Sequence, residues 1–525
     1  MPASPASKRA LRLSLIPFLF VSALAARGAD SGETLARQGA SGAPPCVTCH
    51  GTDGRGNAAG GFPSLAGLSA DYQAKQLHDF ASGKRANPIM APIAKALSDE
   101  QIQAVAEYYA GLDAGSGQTD QQSSDKAAAL PGRDWVVNGH WQANQPACVA
   151  CHGDGARGVG NHFPALAGQH AGYLEAQLKA WQSGQRKNDA GGLMAAVANA
   201  MTEQQIKEVA AYLAALPTAG EIPEHARPDP APRVADALNN YFQPPLLEDL
   251  PDNEFGASVR RGADIFRHTS TDAEAGRYVG NSQSCVNCHM NNGRQANAAP
   301  MWAAWGQYPA WRGKNQKVNT MAERLQGCFT YSQNAQASEA GQAPAADSQV
   351  IVDLMSFMFW QSKSTPTGEA LPGRGYPELD KPAQPFSPER GAGLYAEHCA
   401  LCHGDDGQGT ALAKRRYQFP PLWGDQAFNW GAGMHRVNTA AAFIQANMPL
   451  GKPGSLSVQQ AWDLAAFITS QPRPQDPRFK GDLDATIKDF HGNRAMDYYG
   501  KTVNGYHLGA PGTLEQWRKE RTTGR

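Results

Sequence analysis

Four short runs constrain this chain more than any other feature in it. They are Cys46-Val-Thr-Cys49-His50, Cys148-Val-Ala-Cys151-His152, Cys285-Val-Asn-Cys288-His289 and Cys399-Ala-Leu-Cys402-His403. Two thiols at this spacing with a histidine directly after them are the attachment signature of c-type haem. The thiols form thioethers with the two vinyl groups, and the histidine stands under the iron as proximal ligand. A redox dithiol has no need of the histidine, and a zinc site needs further paired ligands nearby. The cofactor reading is four covalently bound haem c. Haem fills much of each core, which explains how a chain with 55 Gly and 36 Pro in 525 residues folds into loop-rich units.

The motifs sit in a longer organisation. Phe62-Pro63-Ser64-Leu65-Ala66-Gly67 recurs as Phe163-Pro164-Ala165-Leu166-Ala167-Gly168, and Tyr72 to Arg85 recurs as Tyr173 to Arg186. The third and fourth copies share a different lead-in, Arg261-Gly262-Ala263 with Phe266 and Arg390-Gly391-Ala392 with Tyr395. Ser98-x-x-Gln101, Thr202-x-x-Gln205 and Ser457-x-x-Gln460 are capping boxes ahead of helix-periodic runs. Asp347 is the expected N-cap of the matching helix, Val350 to Trp360, in the third unit. The fold class is all-α: four cytochrome c-like domains arranged as two dihaem pairs. Their expected ranges are 30–114, 130–216, 240–363 and 384–475, with a Pro-rich linker at 217–239 and a motif-free extension at 476–525.

The N-terminus reads as an export signal. Lys8, Arg9 and Arg12 precede an apolar stretch, Leu13 to Leu24, and Ala23-Leu24-Ala25 supplies a small-x-small cleavage site, so residues 1–25 are the expected signal peptide. The stretch is shorter than the ~18–20 apolar residues that span a bilayer. No membrane span is expected after cleavage, and the expected location is periplasmic. A formal net charge of −1 argues against a nucleic-acid partner.

The second axial position of a His-held haem decides its task. Met90, Met194 and Met448 lie 40, 42 and 45 residues after their histidines, each shortly before a closing helix. Met434 competes with Met448 but lies further from that helix. The expected metal ligands are therefore His50 with Met90, His152 with Met194, and His403 with Met448. Neutral thioethers favour Fe(II), so these three centres read as electron carriers. The third unit differs: Cys328, the ninth and unpaired cysteine, stands 39 residues after His289 where the others have Met. Met321 is early, and Met355 and Met358 fall within the closing helix as core. A His289/Cys328 centre has a low potential and a redox-active sulfur at the iron.

Charge marks the same unit. Between histidine and sixth ligand the other three units each hold four basic and three acidic residues. The third holds Arg294, Arg312, Lys314, Lys317 and Arg324 against Glu323 alone. This reads as a pocket able to hold anions together against their repulsion.

Residues 240–525 resemble the thiosulfate dehydrogenase family. The resemblance rests on Tyr278-Val279-Gly280-Asn281 before the third motif, Glu323-Arg324-Leu325-Gln326-Gly327-Cys328, Ser332, Phe443 to Gly451, and Tyr499 to Gly505. Residues 30–216 resemble the dihaem class I cytochromes that accept electrons from such enzymes. The resemblance implies a fusion of acceptor and dehydrogenase that oxidises two thiosulfate to tetrathionate. It carries Cys328 over as haem-ligating cysteine, and Arg324 and Ser332 as substrate contacts. Arg312 or Lys314 is expected to add a further cation. The implied partners are thiosulfate, tetrathionate and a periplasmic cytochrome or terminal oxidase. Asn447 stands where some members carry a Lys that exchanges with the ligand Met, and Gln333-Asn334-Ala335 replaces the more usual Met-Asn-Gly. The alternative readings are a tetrahaem carrier without chemistry of its own, and an enzyme acting mainly as tetrathionate reductase.

Overall fold

The computed structural model describes residues 31–115, 126–141, 145–228, 241–314 and 316–523. The expected signal peptide lies outside the described residues.

Each haem motif lies between an opening and a closing helix. The opening helices are Gly32–Gln38, Arg133–Val137, Glu254–His268 and Pro388–His398. The closing helices are Asp99–Ala110, Glu203–Ala215, Gln349–Gln361 and Val458–Thr469. Ser98, Thr202 and Ser457 cap three closing helices with the reciprocal Gln bonds that their spacing predicts. In the third module the cap is Ser348, whose hydroxyl accepts from Ile351 N, and not Asp347 one residue earlier. A hydroxyl at that register reaches the third helical amide, whereas Asp347 lies outside the first turn.

Opening and closing helices cross at a glycine in every module. A Cβ built on Gly32, Gly132, Gly262 or Gly391 would stand 2.0–2.1 Å from the backbone oxygen of Ala104, Glu208, Asp353 or Asp463. Only a residue without a side chain lets the two backbones approach this closely. In modules three and four an ion pair clamps the crossing, Arg261 to Asp353 at 3.0 Å and Arg390 to Asp463 at 2.7 Å. Both aspartates are buried, so each arginine supplies the charge a buried carboxylate requires.

The modules pair as two halves. The Tyr72–Arg85 and Tyr173–Arg186 repeats meet reciprocally: Arg85 donates to Tyr173 Oη at 2.7 Å, and Arg186 to Tyr72 Oη at 3.3 Å. Modules three and four join through Asn281 Nδ2 to Ala427 O, Asn429 Nδ2 to Thr330 O, and Arg415 Nη2 to Val279 O. Among the described residues the named strands form three two-stranded hairpins, built on 310–319, 410–419 and 502–507. Residues 476–523 wrap module four. Tyr499, Leu508 and Trp517 of this extension enter one core with Trp430 and Trp462.

Candidate active site

In all four motifs the histidine ring is fixed from behind. Nδ1 donates to a backbone carbonyl: His50 to Pro63 at 3.1 Å, His152 to Pro164 at 2.7 Å, His289 to Ala299 at 2.7 Å and His403 to Pro420 at 2.8 Å. This bond sets the tautomer and leaves Nε2 as a free lone pair, the arrangement a metal-ligating histidine needs. Burial pushes all four imidazoles below their ordinary pKa, His289 to about 4, which favours the neutral ring. The eight motif cysteines are unpaired as disulfides. Among the described residues the buried donors Trp181 Nε1 and the Nε and Nη1 of Arg473 have no hydrogen-bond partner. Arg473 is packed against Phe428 and Trp430, and burial lowers it to about 9. Paired thiols, oriented neutral histidines and orphaned cationic or N–H donors fit a covalently held haem with its carboxylate side groups.

Met90 opens the short helix Met90–Lys95, and Met194 lies in the first turn of Leu193–Asn199. Met448 is the C-cap of Val437–Asn447. Met434 and Met448 both pack beside Phe443, Met290 and Tyr376, where module four meets module three. Met321 and Met358 are core residues of module three, with Met355 packed against them.

Cys328 follows the capped helix Met321–Gly327 and begins a π-helical turn, Cys328–Ser332. Such turns place side chains off the α-helical register and recur at functional sites. Arg324 Nη1 donates to Cys328 Sγ at 3.1 Å. Electrostatic attraction to Cys328 is the largest influence on Arg324 and raises its pKa against the effect of burial, and Tyr308 and Tyr376 act in the same direction. Ser332 closes the turn, its carbonyl held by Asn281 Nδ2 at 2.8 Å.

The hairpin 310–319 separates the remaining cations. Arg312 is exposed, on the strand paired with Lys317, and reaches only the ring of Tyr308 at 6.0 Å. Lys314 turns inward at its tip. Its stem is exposed, but the ammonium lies 3.4 Å from the centre of the Tyr331 ring and donates to Gly431 O at 2.5 Å. Removal of that head group from water, then repulsion from Arg478 and Arg324, lowers Lys314 to about 7. The other two basic residues are committed elsewhere: Arg294 donates to Pro244 O and Pro245 O, and Lys317 pairs with Glu323 at 2.7 Å. Of the five cations of this loop, Arg324 contacts the Cys328 sulfur, and Lys314, on Tyr331, lies near enough for Arg324 and Cys328 to act on its charge.

Sequence reasoning missed Arg478. It comes from the C-terminal extension, lies 5.2 Å from the Tyr331 ring and 4.1 Å from Phe490, and pairs with Asp476 at 2.6 Å. Asp476 accepts in turn from His491, and His491 and His435 both reach Asp497 at 2.7 and 2.9 Å. These carboxylates are held below the usual range by Arg478 and the histidines despite their burial. No local motif marks Arg478, because the contact is formed by a segment about 150 residues away in sequence from Tyr331.

Three family models and several known proteins match parts of this chain. A cytochrome c family model matches residues 31–113 and 136–217, and a SoxA/TsdA cytochrome c domain model matches 277–367. A model of cytochrome C oxidase, cbb3-type, subunit III matches 386–468. A thiosulfate dehydrogenase of Stutzerimonas stutzeri is 52% identical over 274 residues, covering 52% of this chain and 86% of the relative. A thiosulfate dehydrogenase electron acceptor of the same species is 48% identical over 190 residues, 36% of this chain and 87% of the relative. A solved thiosulfate dehydrogenase, TsdBA of Marichromatium purpuratum, matches with a TM-score of 0.80 and 46% identity, covering 91% of this chain and 98% of that one.

Proposed function

The chain belongs to the thiosulfate dehydrogenase family, and from that premise we propose that it oxidises two thiosulfate ions to tetrathionate beside Cys328. Acceptor and dehydrogenase are joined in one polypeptide, as the matches to each half and to the fused TsdBA structure support. Four haem c would be held by the four cysteine pairs, with His50 and Met90, His152 and Met194, His289 and Cys328, and His403 and Met448 as the side chains that would ligate the iron. When bound, haem c supplies one-electron storage and relay.

The chain's own residues do the rest. The observation that carries the reading is the bond from Arg324 to the Cys328 sulfur at 3.1 Å, with the Lys314 ammonium nearby on Tyr331, brought in by a separate hairpin. Two thiosulfate dianions repel, and forming a sulfur–sulfur bond between them requires cations on the reacting side. Arg324 offers a planar fork to an anionic oxygen and Lys314 a point charge. The Ser332 hydroxyl, one turn on from Cys328, offers a neutral donor. Arg478 also lies on the Tyr331 ring, at 5.2 Å, and its charge acts on Lys314. Two electrons leave per tetrathionate formed, by way of module four to the N-terminal pair and then an external cytochrome or oxidase. The basic and apolar N-terminus supports export to the periplasm, and among the described residues no helix is long and apolar enough to cross a membrane.

The test is anaerobic addition of thiosulfate to the purified holoprotein, with haem reduction followed optically and tetrathionate assayed as product. The expected result is reduction of haem with stoichiometric tetrathionate. Four haems that stay oxidised overturn the reading.

A further inference from the structure

Beneath the C-terminal extension lies a buried cluster that the sulfur chemistry does not use. His435 ends the turn Gly433–His435 of module four, His491 caps the helix Leu483–Phe490 at its C-terminus, and Asp497 follows in the next loop. All three are 3% exposed or less, and their ligand atoms lie within 4.8 Å of one another. His435 Nε2 and His491 Nδ1 converge on a single oxygen, Asp497 Oδ2, at 2.9 and 2.7 Å. The outward nitrogen of each ring also meets an oxygen: His435 Nδ1 meets Ala432 O at 2.5 Å, and His491 Nε2 meets Asp476 Oδ2 at 3.0 Å. All four ring nitrogens therefore face acceptors. Two neutral imidazoles carry two N–H hydrogens between them, enough for half of those contacts. With both hydrogens on the outward nitrogens, two lone pairs and a carboxylate oxygen meet at one point, which is a ligand set.

We propose that His435, His491 and Asp497 bind a zinc ion that fastens the extension to module four. The surroundings are those of a metal-holding histidine pair. Each outward N–H donates to an oxygen that sets the tautomer and the ring angle, the device that also holds the four motif histidines. Asp476, behind His491, is itself gripped by Arg478 through Nε at 2.9 Å and Nη2 at 2.6 Å. The other oxygen of Asp497 accepts from Tyr499 N at 2.9 Å, and the Tyr499 ring stacks on His491 at 4.0 Å. Imidazole and carboxylate suit zinc, whose bonds of about 2.0–2.2 Å set tetrahedral ligand atoms roughly 3.3 Å apart. The two contacts at Asp497 need open by only about half an ångström to reach that spacing. Zinc has no redox chemistry, so it does not compete for electrons beside haem modules. Where both rings are charged beforehand, one Zn²⁺ enters as two protons leave, and the buried net charge is unchanged. His435 and Asp497 are 62 residues apart in the chain, so the ion joins two separate segments. It ties the extension to the start of the helix Val437–Asn447 and, through Asp476, steadies the Arg478 guanidinium on Tyr331. The site is independent of the functional reading above.

The full-length holoprotein carries the test, with Zn²⁺ alone as the probe. Protein stripped with a strong chelator takes up Zn²⁺, is passed over a chelating resin, and is assayed for zinc and iron by mass spectrometry. The expected result is about one zinc retained per chain. X-ray absorption at the zinc edge is expected to show nitrogen and oxygen at about 2.0 Å, the scattering of two imidazoles, and no sulfur at about 2.3 Å. His435→Gln and Asp497→Asn should each weaken zinc binding more than about 100-fold, measured by competition with a chelator of known affinity. Asp476→Asn, which keeps the ligands and alters their support, should weaken it about 10- to 100-fold. Haem content and circular dichroism report whether each variant is folded. The unsubstituted protein decides the question without them: no retained zinc, zinc on sulfur, or zinc lacking two imidazoles overturns the proposal. Undiminished affinity in folded His435→Gln or Asp497→Asn overturns it as well. Zinc is also expected to slow hydrogen exchange across residues 483–499, and exchange that zinc leaves unchanged overturns the fastening role. None of these readouts uses thiosulfate, so this site and the functional reading stand or fall separately.

Discussion

Modules three and four are built on the same frame and diverge in what they place over it. Both open with an Arg-Gly-Ala helix, cross it on a closing helix at the glycine, and lock the crossing with a buried aspartate. Both hold the motif histidine by a carbonyl 10 or 17 residues later. Module four then runs a regular helix, Val437–Asn447, to a methionine at its C-cap. Module three runs a short helix into a π-helical turn headed by Cys328, with Arg324 one turn behind. The frame decides that a haem is held. The segment between histidine and sixth ligand decides whether it only passes electrons or also meets a substrate.

The sharpest way to break that comparison is to make module three like module four. Cys328→Met is expected to leave four attached haems and to lower thiosulfate turnover on the order of 1000-fold or more, because the reacting sulfur is gone. Cys328→Ala should do the same, with haem content checked by mass and by pyridine haemochrome. Turnover retained in either variant removes the cysteine from the chemistry. Next in size is Arg324→Gln, which removes the charged donor and keeps a polar side chain. It is expected to reduce kcat/KM about 30- to 100-fold, the range for a lost charge-assisted contact. Arg324→Lys should recover only part, since a point charge cannot reproduce the fork.

The shared frame makes an opposite, symmetrical prediction. Gly262→Val and Gly391→Val each drive a side chain into a backbone oxygen about 2 Å from the new Cβ. Each should destabilise its module by about 1–3 kcal/mol or more, the cost of overpacking. Denaturant unfolding followed through haem absorbance measures both. Equal losses show that the two modules use one frame, whereas a loss confined to one module separates them.

Much of this was legible in the sequence because the signals are local. The cysteine pairs, the capping boxes at Ser98, Thr202 and Ser457, and the helix period of the closing segments all lie within one or two turns of chain. The family was legible too, through runs around Cys328 that survive as blocks. What escaped depends on distance in sequence. The crossings at Gly32 and Gly132 are set by backbone oxygens more than 70 residues away, at Ala104 and Glu208. Of the five cations in one loop the sequence singled out Arg324 and left Arg312 or Lys314 as the second; it did not show that Arg294 bonds the Pro244 and Pro245 carbonyls or that Lys317 pairs with Glu323. Hairpin register alone separates Lys314, which turns in, from Arg312, which stays out. Arg478 reaches Tyr331 only because the extension folds back over module four, which nothing in its neighbourhood announces.

The smallest expected effect concerns Lys314, which has no counterpart in module four. Its ammonium is desolvated against Tyr331 and repelled by Arg478 and Arg324, so its pKa falls from 10.5 to about 7. The sign follows directly. Below about pH 7 the side chain is charged and attracts thiosulfate, while above it the side chain is neutral and offers only a hydrogen bond. KM for thiosulfate should therefore rise a few-fold as pH increases through neutrality, with kcat changing less. Lys314→Gln is expected to show the high KM at every pH, and Lys314→Arg a low KM that no longer depends on pH. Stability moves the other way: between the folded pKa and the ordinary 10.5 the unfolded chain binds more protons, so folding strengthens as pH rises across that window. A KM that falls with pH, or a pH profile unchanged in Lys314→Gln, takes this cation out of the pocket and leaves Arg324 to hold the substrate with Ser332 alone.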